Sequence, residues 1–336
     1  MGFPFSFGET EMGFELNIVP SKNTQPTLHP NSKGGTELMY YELKERIAPE
    51  LFDQFNIILS RVRPESFDSR PAILWLHDLP EDPESQHLRD PKSRSRFAKI
   101  VFNSYWQQYD YYTKLGIPLE EGVVMKNAVE PFPSLSKPTD GPTRLIYFST
   151  PHRGLHVLEA AIRVLLQHRD DFVVDVYSSF ELYGWKERDR EFTLLFDALK
   201  KLPCVNLHGT VSNAEIREAL KTSHILAYPS TYIESSCRVA IESMCAGLLC
   251  VVPAYGALTE TCTDYAHMYS WDPDPKNHVM HFANALNFAM DSVRNPVMQN
   301  LLITQIGYYN FFYGWPMRAA QWTNLLENLK NAPSAR

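Results

Sequence analysis

The 336-residue sequence holds no apolar run long enough to cross a bilayer as a helix. It lacks any excess of positive charge. The formal net charge is −7, whereas chains that grip nucleic-acid phosphates are usually basic, so no nucleic-acid partner is expected. Cysteine is scarce: Cys204, Cys237, Cys245, Cys250 and Cys262 all fall in the second half and form no C-x-x-C pair. Buried thiols in a reducing compartment are expected. The eleven histidines and five cysteines show no zinc spacing, and no metal site is expected. No G-x-G-x-x-G follows a strand-like segment, which removes the fingerprint of a dinucleotide oxidoreductase. The opening MGFPFSFGETEMGFEL lacks a basic n-region and carries acids where an apolar core belongs, so no secretory leader is expected. Its first six residues fit the myristoylation pattern poorly because of Pro4. These features point to the cytoplasm and leave peripheral contact with a membrane open.

What is present is a regular alternation of strands and helices. In the first half the apolar pattern predicts strands over 14–19, 55–60, 73–76, 97–102 and 122–125. Gly34-Gly35-Thr36-Glu37 opens a helix over 38–47, and Asn103-Ser104 can cap another over 105–115. The Pro- and Ser-rich 131–142 reads as a linker. Strands are predicted beyond it over 144–148, 172–177, 205–208, 225–228 and 248–252. Helices are predicted over 155–167 and 191–201, from a capping box at Ser212 and Glu215 to near Ser223, and around Glu242. The tail, 300–330, reads as helical with a turn at Tyr313–Pro316. Such alternation implies α/β architecture: a parallel sheet covered on both faces, with ligands at the carboxyl ends of its strands.

The most informative stretch is Glu234-Ser-Ser-Cys-Arg-Val-Ala-Ile-Glu242, followed by Ser-Met-Cys-Ala-Gly247 and an apolar run. Two carboxylates bracket the start of a short helix between two strands. A helix N-terminus offers free N–H groups and a positive dipole end, which suits phosphate. The flanking carboxylates suit sugar or ribose hydroxyls. Diphosphate plus sugar hydroxyls describes a nucleotide-sugar.

The order of motifs resembles retaining glycosyltransferases of family 4, with the GT-B fold. The resemblance runs from Gly34 to about Trp322. It rests on Tyr228-Pro-Ser230, Glu234, Glu242, Ala246-Gly247, Val251-Val252-Pro253, Gly256 and Glu260 in series. It implies two facing Rossmann-like domains with a cleft between them, and a C-terminal helix crossing back to the first. The implied divisions are a reduced acceptor-side domain (1–139), a nucleotide-sugar domain (140–299) and returning helices (300–336).

By this resemblance Glu234 contacts donor-sugar hydroxyls, Glu242 holds the ribose, and amides near Ser235, Ser236 and Cys237 meet the diphosphate. Arg153-Gly154 matches the family's Lys-Gly turn, with Arg153 neutralising the leaving diphosphate. The family's second cation after that strand is absent; Ser149 and Thr150 stand near its place, with Arg238 available to help. Gly34 and Gly35 match the glycine loop, His77 the cleft histidine after a first-domain strand, and Met125-Lys-Asn-Ala-Val129 the segment before the linker. The family's glycines after the first Glu are replaced by Ser235-Ser-Cys-Arg238. The implied activity is a retaining hexosyl or pentosyl transfer. The sugar moves from a UDP- or GDP-type nucleotide diphosphate sugar, a co-substrate and not a cofactor, to a glycan or lipid-linked acceptor without a metal. Those departures also motivate an alternative: a catalytically silent nucleotide-sugar-binding or scaffold protein of the same fold.

Three features invite other readings. Asp272-Pro-Asp274 matches a metal-binding D-x-D but lies in a Pro-rich turn beyond the sheet. The basic run Arg89, Lys92, Arg94, Arg96 and Lys99 reads as a solvated loop. The aromatic cluster Tyr105, Trp106, Tyr109, Tyr111 and Tyr112 reads as helix core, with stacking on an acceptor sugar the sharper alternative.

Overall fold

The computed structural model describes residues 34–133 and 137–332. The strand expected over 14–19 and the N-terminal lipidation pattern lie outside the described residues. Two parallel sheets organise the rest. The first runs β1 (Asn56–Leu59), β2 (Ala72–Leu76), β3 (Phe97–Phe102) and β4 (Gly122–Val124) side by side in sequence order. Successive strand residues point to opposite faces, and β2 shows it. Ile73 and Trp75 pack with Met39 and Leu43 of α1 (Gly35–Lys44), while Leu74 and Leu76 pack with Tyr111 and Leu115 of α2 (Tyr105–Leu115). Ser104 caps α2, its hydroxyl accepting from Gln107 N at 2.9 Å.

The second sheet has six parallel strands: β5 (Thr143–Phe148), β6 (Phe172–Tyr177), β7 (Val205–Leu207), β8 (Ile225–Ala227), β9 (Leu249–Pro253) and β10 (His267–Tyr269). Their spatial order is β10-β9-β8-β5-β6-β7. The chain therefore moves one way from β5 and the other way from β8. The crevice between these neighbours, at their carboxyl ends, is the topological switch point where open α/β sheets bind ligands. Gly154, at φ 96°, starts α3 (Leu155–Leu165) after β5; a Cβ there would collide with the Pro229 carbonyl, so the two switch-point loops touch because this residue is glycine. Between β8 and β9 lies α4 (Arg238–Cys245).

The last helix, Trp315–Asn331, returns to the first sheet: Trp315, Trp322 and Leu326 share a core with Ile73, Trp75 and Val101. Across the linker, Arg217 donates to the Glu130 and Pro131 carbonyls and lies 3.8 Å from the Phe132 ring. All five cysteines are free, and all but Cys204 are buried. No described helix is long and apolar enough to cross a membrane.

Three expectations change. Strand β10 and the helix Pro275–Ser292 extend the second domain beyond the predicted elements, and Asp274 caps that helix by accepting from Lys276 and Asn277 N. The basic run is solvated only in part and is no loop: Arg89, Lys92 and Arg96 are exposed, but Arg94 is buried on a helical turn and forks onto Glu121, and Arg96 lies 4.8 Å over Phe67. Only Tyr111 of the aromatic cluster is core; Tyr105, Tyr109 and Tyr112 are exposed because they occupy the opposite face of α2.

Candidate functional site

A cavity of about 770 Å³ lies between the two sheets. His77 enters it from the end of β2, Asn127 from beyond β4, and Thr150, His152 and Arg153 from the loop after β5. Tyr228, Glu234, Ser235, Ser236 and Cys237 come from the loop after β8, and Arg238 and Glu242 from the first two turns of α4. Gly35 also lines the cavity. Gly34 does not; it is buried, and a Cβ at that position would run into the Tyr183 ring. The structure thus gathers every site residue expected from the sequence except Gly34 around one hollow.

Glu234 is only 5 % exposed. It accepts from the Tyr228 hydroxyl at 2.7 Å and is ion-paired with Arg153, whose guanidinium also lies 4.4 Å over the Tyr232 ring. Burial, the largest single influence, would lower the Arg153 pKa; the Glu234 carboxylate together with the hydroxyls of Tyr228, Tyr183 and Tyr232 outweighs it and raises it well above the ordinary arginine value. Gly256, at φ 59°, lets the following turn approach, and Ala257 N donates to the Glu234 carbonyl at 2.8 Å.

The second acid is also paired. Arg238 Nε donates to Glu242 at 2.7 Å, and its two terminal nitrogens fork onto Glu42 of α1 at 2.8 and 2.9 Å. Burial opposes the Arg238 charge, and Glu242 and Glu42 together raise its pKa. Arg238 is therefore a clamp between domains. Further clasps join them: Ser104 Oγ donates to the Ser235 carbonyl at 2.6 Å and Ser235 Oγ to the His77 carbonyl at 3.0 Å. Asn127 donates to the Ser236 carbonyl at 3.3 Å. Glu260 accepts from Tyr105 N and Trp106 N, at 3.1 and 2.7 Å, and pairs with Lys126 at 2.6 Å.

His77 is half-buried and neutral: desolvation pushes its pKa down to about 3. Its Nδ1 lies 3.0 Å from Asn103 Nδ2, and Asn103 Oδ1 accepts from Trp75 Nε1 at 2.7 Å. Buried polar atoms without a protein partner cost free energy and seek a ligand. Four such atoms belong to cavity residues: His77 Nε2, Asn127 Oδ1, Thr150 Oγ1 and His152 Nδ1.

The sequence reading missed Asn103 as a histidine partner, since the Asn-Ser pair reads as a cap. It missed Glu42, which looks like any acid on a helix face. It also gave no role to His152, Tyr183, Arg188 or Tyr232. His152 alone carried a signal, as the neighbour of Arg153 in the turn after β5.

Residues 149–295 match the sequence model of the family described as Glycosyl transferases group 1. The fold is similar to that of a glycosyltransferase from Rickettsia africae ESF-5, with TM-score 0.65 and 14 % identity over 91 % of this chain and 84 % of that one. It is also similar to Anabaena HepE in complex with UDP-glucose, with TM-score 0.60 and 18 % identity over 77 % and 72 % of the two chains. A third similar structure is sucrose-phosphate synthase from Thermosynechococcus elongatus, with TM-score 0.61 and 14 % identity over 89 % and 79 %. At these identities the likeness is one of fold: two Rossmann-like domains in the GT-B arrangement. No curated protein sequence matches the chain.

Proposed function

We propose, from the match of residues 149–295 to the model described as Glycosyl transferases group 1, that the protein is a retaining glycosyltransferase. It moves a hexosyl or pentosyl group from a nucleotide diphosphate sugar, of UDP or GDP type, to a hydroxyl of a glycan or lipid-linked acceptor, without a metal. The observation that carries this reading is the convergence, at the switch-point crevice, of the N-terminus of α4 with four unpartnered buried polar atoms. Anabaena HepE, bound to UDP-glucose, supplies the fold-level precedent for the donor class. The free thiols fit a reducing, cytoplasmic setting, with any membrane contact made through the acceptor.

In this reaction the donor lies on the second domain. Its diphosphate faces the amides of Ser235, Ser236 and Cys237 and the positive end of α4. Glu242 is at the ribose and Glu234 at the sugar hydroxyls. His77 presents Nε2–H to a donor oxygen as a neutral hydrogen-bond donor. As the sugar–phosphate bond lengthens, charge grows on the diphosphate, and fixed amide dipoles and guanidinium groups stabilise it. The acceptor hydroxyl attacks from the face the leaving group vacates, and a phosphate oxygen takes its proton. The clasped domains exclude water that would hydrolyse the donor.

A panel of nucleotide sugars, screened by thermal shift and followed by NMR assignment of the product anomer, tests this. Stabilisation by one donor and retention of its anomeric configuration are expected. No stabilisation by any donor, or an inverted product, overturns it.

One observation favours the silent binder. Both acids are already neutralised, Glu234 by Arg153 and Glu242 by Arg238. Slow hydrolysis of the stabilising donor by the wild-type chain excludes that alternative; tight binding with neither hydrolysis nor transfer supports it.

A further inference from the structure

Five arginines line the cavity, and four are committed to carboxylates. Arg61 lies 3.6 Å from both Asp78 and Asp82, and Arg63 forks onto Glu84. Arg153 pairs with Glu234, and Arg238 holds Glu242 and Glu42. Arg188 is the exception. Among the described residues it has no carboxylate partner, and its contacts are aromatic: its guanidinium carbon lies 4.4 Å from the Phe180 ring centroid and 5.6 Å from that of Trp185. A stacked guanidinium uses its flat face and keeps its in-plane N–H donors for an anion.

Arg188 also belongs to the same wall as Arg153. The Phe180 ring that carries it stacks on His152, with centroids 5.3 Å apart at 15°. His152 meets Tyr232 edge-on at 5.8 Å, and Tyr232 carries Arg153. One aromatic ladder thus ends in a guanidinium on either side. The buried, unpartnered Nδ1 of His152 lies midway along it.

We propose that Arg188, and not Arg153, is the side chain that takes the diphosphate of a nucleotide ligand. The proposal rests on the nucleotide-sugar reading above. Arg153 already spends one terminal nitrogen and its charge on Glu234, so a phosphate there must share the guanidinium with a buried carboxylate. Arg188 has, among the described residues, no carboxylate to share with, and its planar fork matches two phosphate oxygens. It fills the place of the cation that the loop after β5 lacks, from the neighbouring crossover after β6.

Calorimetry decides this with three probes: uridine or guanosine diphosphate, the matching nucleoside, and inorganic pyrophosphate. Arg188→Ala is expected to weaken diphosphate and pyrophosphate binding by at least about tenfold, the size of one charge-assisted pair. Nucleoside affinity should stay within about twofold. Arg188→Lys should fall between, keeping charge without the fork. If Arg188→Ala does not fold, Arg188→Gln serves in its place, with circular dichroism as the check. Wild-type-like pyrophosphate affinity in the variant overturns the assignment, as does an equal loss of nucleoside. Pyrophosphate also separates the two claims. A wild-type chain that binds pyrophosphate but no nucleoside diphosphate refutes the nucleotide reading, while the variant still decides Arg188; a chain that binds neither refutes both.

Discussion

Asn103 donates its side-chain amide to Nδ1 of His77, and Trp75 dictates which way that amide points. The indole N–H can only donate, so its 2.7 Å contact fixes Oδ1 of Asn103 toward Trp75 and Nδ2 toward His77. Nδ1 must then accept, and the imidazole proton resides on Nε2, facing the cavity. Trp75 is itself held against Trp322 of the returning helix, with ring centroids 4.8 Å apart.

Asn103→Asp should reverse this arrangement. A carboxylate accepts from Nδ1–H, which moves the neutral proton away from the cavity and favours the imidazolium. Turnover should fall by at least about tenfold, the scale of one lost transition-state hydrogen bond. A pH dependence absent from wild type should appear near neutrality. Ring nitrogen shifts of His77 should report the Nε2–H tautomer in wild type. An Nδ1–H signal there would refute the relay.

Three desolvated histidines also set an acid limit. Burial pushes His77 to about 3, and His152 to about 3 with help from Arg153 and Arg188; burial pushes His278 to about 4. An unfolded histidine titrates near 6.5. These folded values are depressed, so the stability is fully present above about pH 6.5 and is lost as pH falls toward 3 or 4. Each group contributes a slope of about 1.4 kcal/mol per pH unit in that window. Urea unfolding at pH 7, 6 and 5 should show this decline, and His278→Gln should flatten it. An unchanged slope in that variant would mean His278 is accessible to protons in the native state.

Glu234→Gln removes one charge of a buried pair and leaves the other. Breaking such a pair costs about 3–5 kcal/mol. The midpoint of urea unfolding should drop accordingly, and adding Arg153→Leu should recover part of the loss, because the stranded guanidinium goes too. Transfer should fall by at least about tenfold even where the variant is fully folded. Wild-type turnover by the folded variant would separate Glu234 from the reaction.

The sheet framework was legible because it is written in short local patterns. Strands 97–102 and 172–177 and the helix 105–115 match their predicted bounds, and the Ser212 and Glu215 box caps as expected. Cavity residues after β5 and β8 were legible through motif order, since a switch point joins loops that are distant in sequence. The pairings were not. Glu234 and Arg153 are 81 residues apart, and Arg238 and Glu42 are 196 apart. No local pattern encodes which carboxylate a guanidinium will meet. Arg188 sits in a charged stretch, Lys186-Glu-Arg-Asp-Arg-Glu191, that reads as solvent-facing. In the structure Asp189 accepts from Phe180 N at 2.7 Å, and Arg188 lies against the rings of Phe180 and Trp185.

Glu260 is the residue whose loss should open the cleft. It belongs to the second domain, yet its carboxylate receives the first two backbone N–H groups of α2 in the first, where a helix leaves its donors unmet and its dipole is positive. Lys126 completes the contact from the segment before the linker. Capping of this kind is worth about 1–2 kcal/mol. Glu260→Ala should therefore lower the stability of each domain little but shift the closed-to-open balance by about tenfold or more. Small-angle scattering should show a larger radius of gyration without ligand. KM for the donor should rise more than kcat falls, because donor binding must then supply the closure the cap no longer provides. Glu260→Gln keeps one of the two acceptor oxygens and loses the charge, so it should lie between. An unchanged radius with an unchanged KM would mean the Arg238 fork onto Glu42 and the Ser104, Ser235 and Asn127 clasps hold the domains together without it.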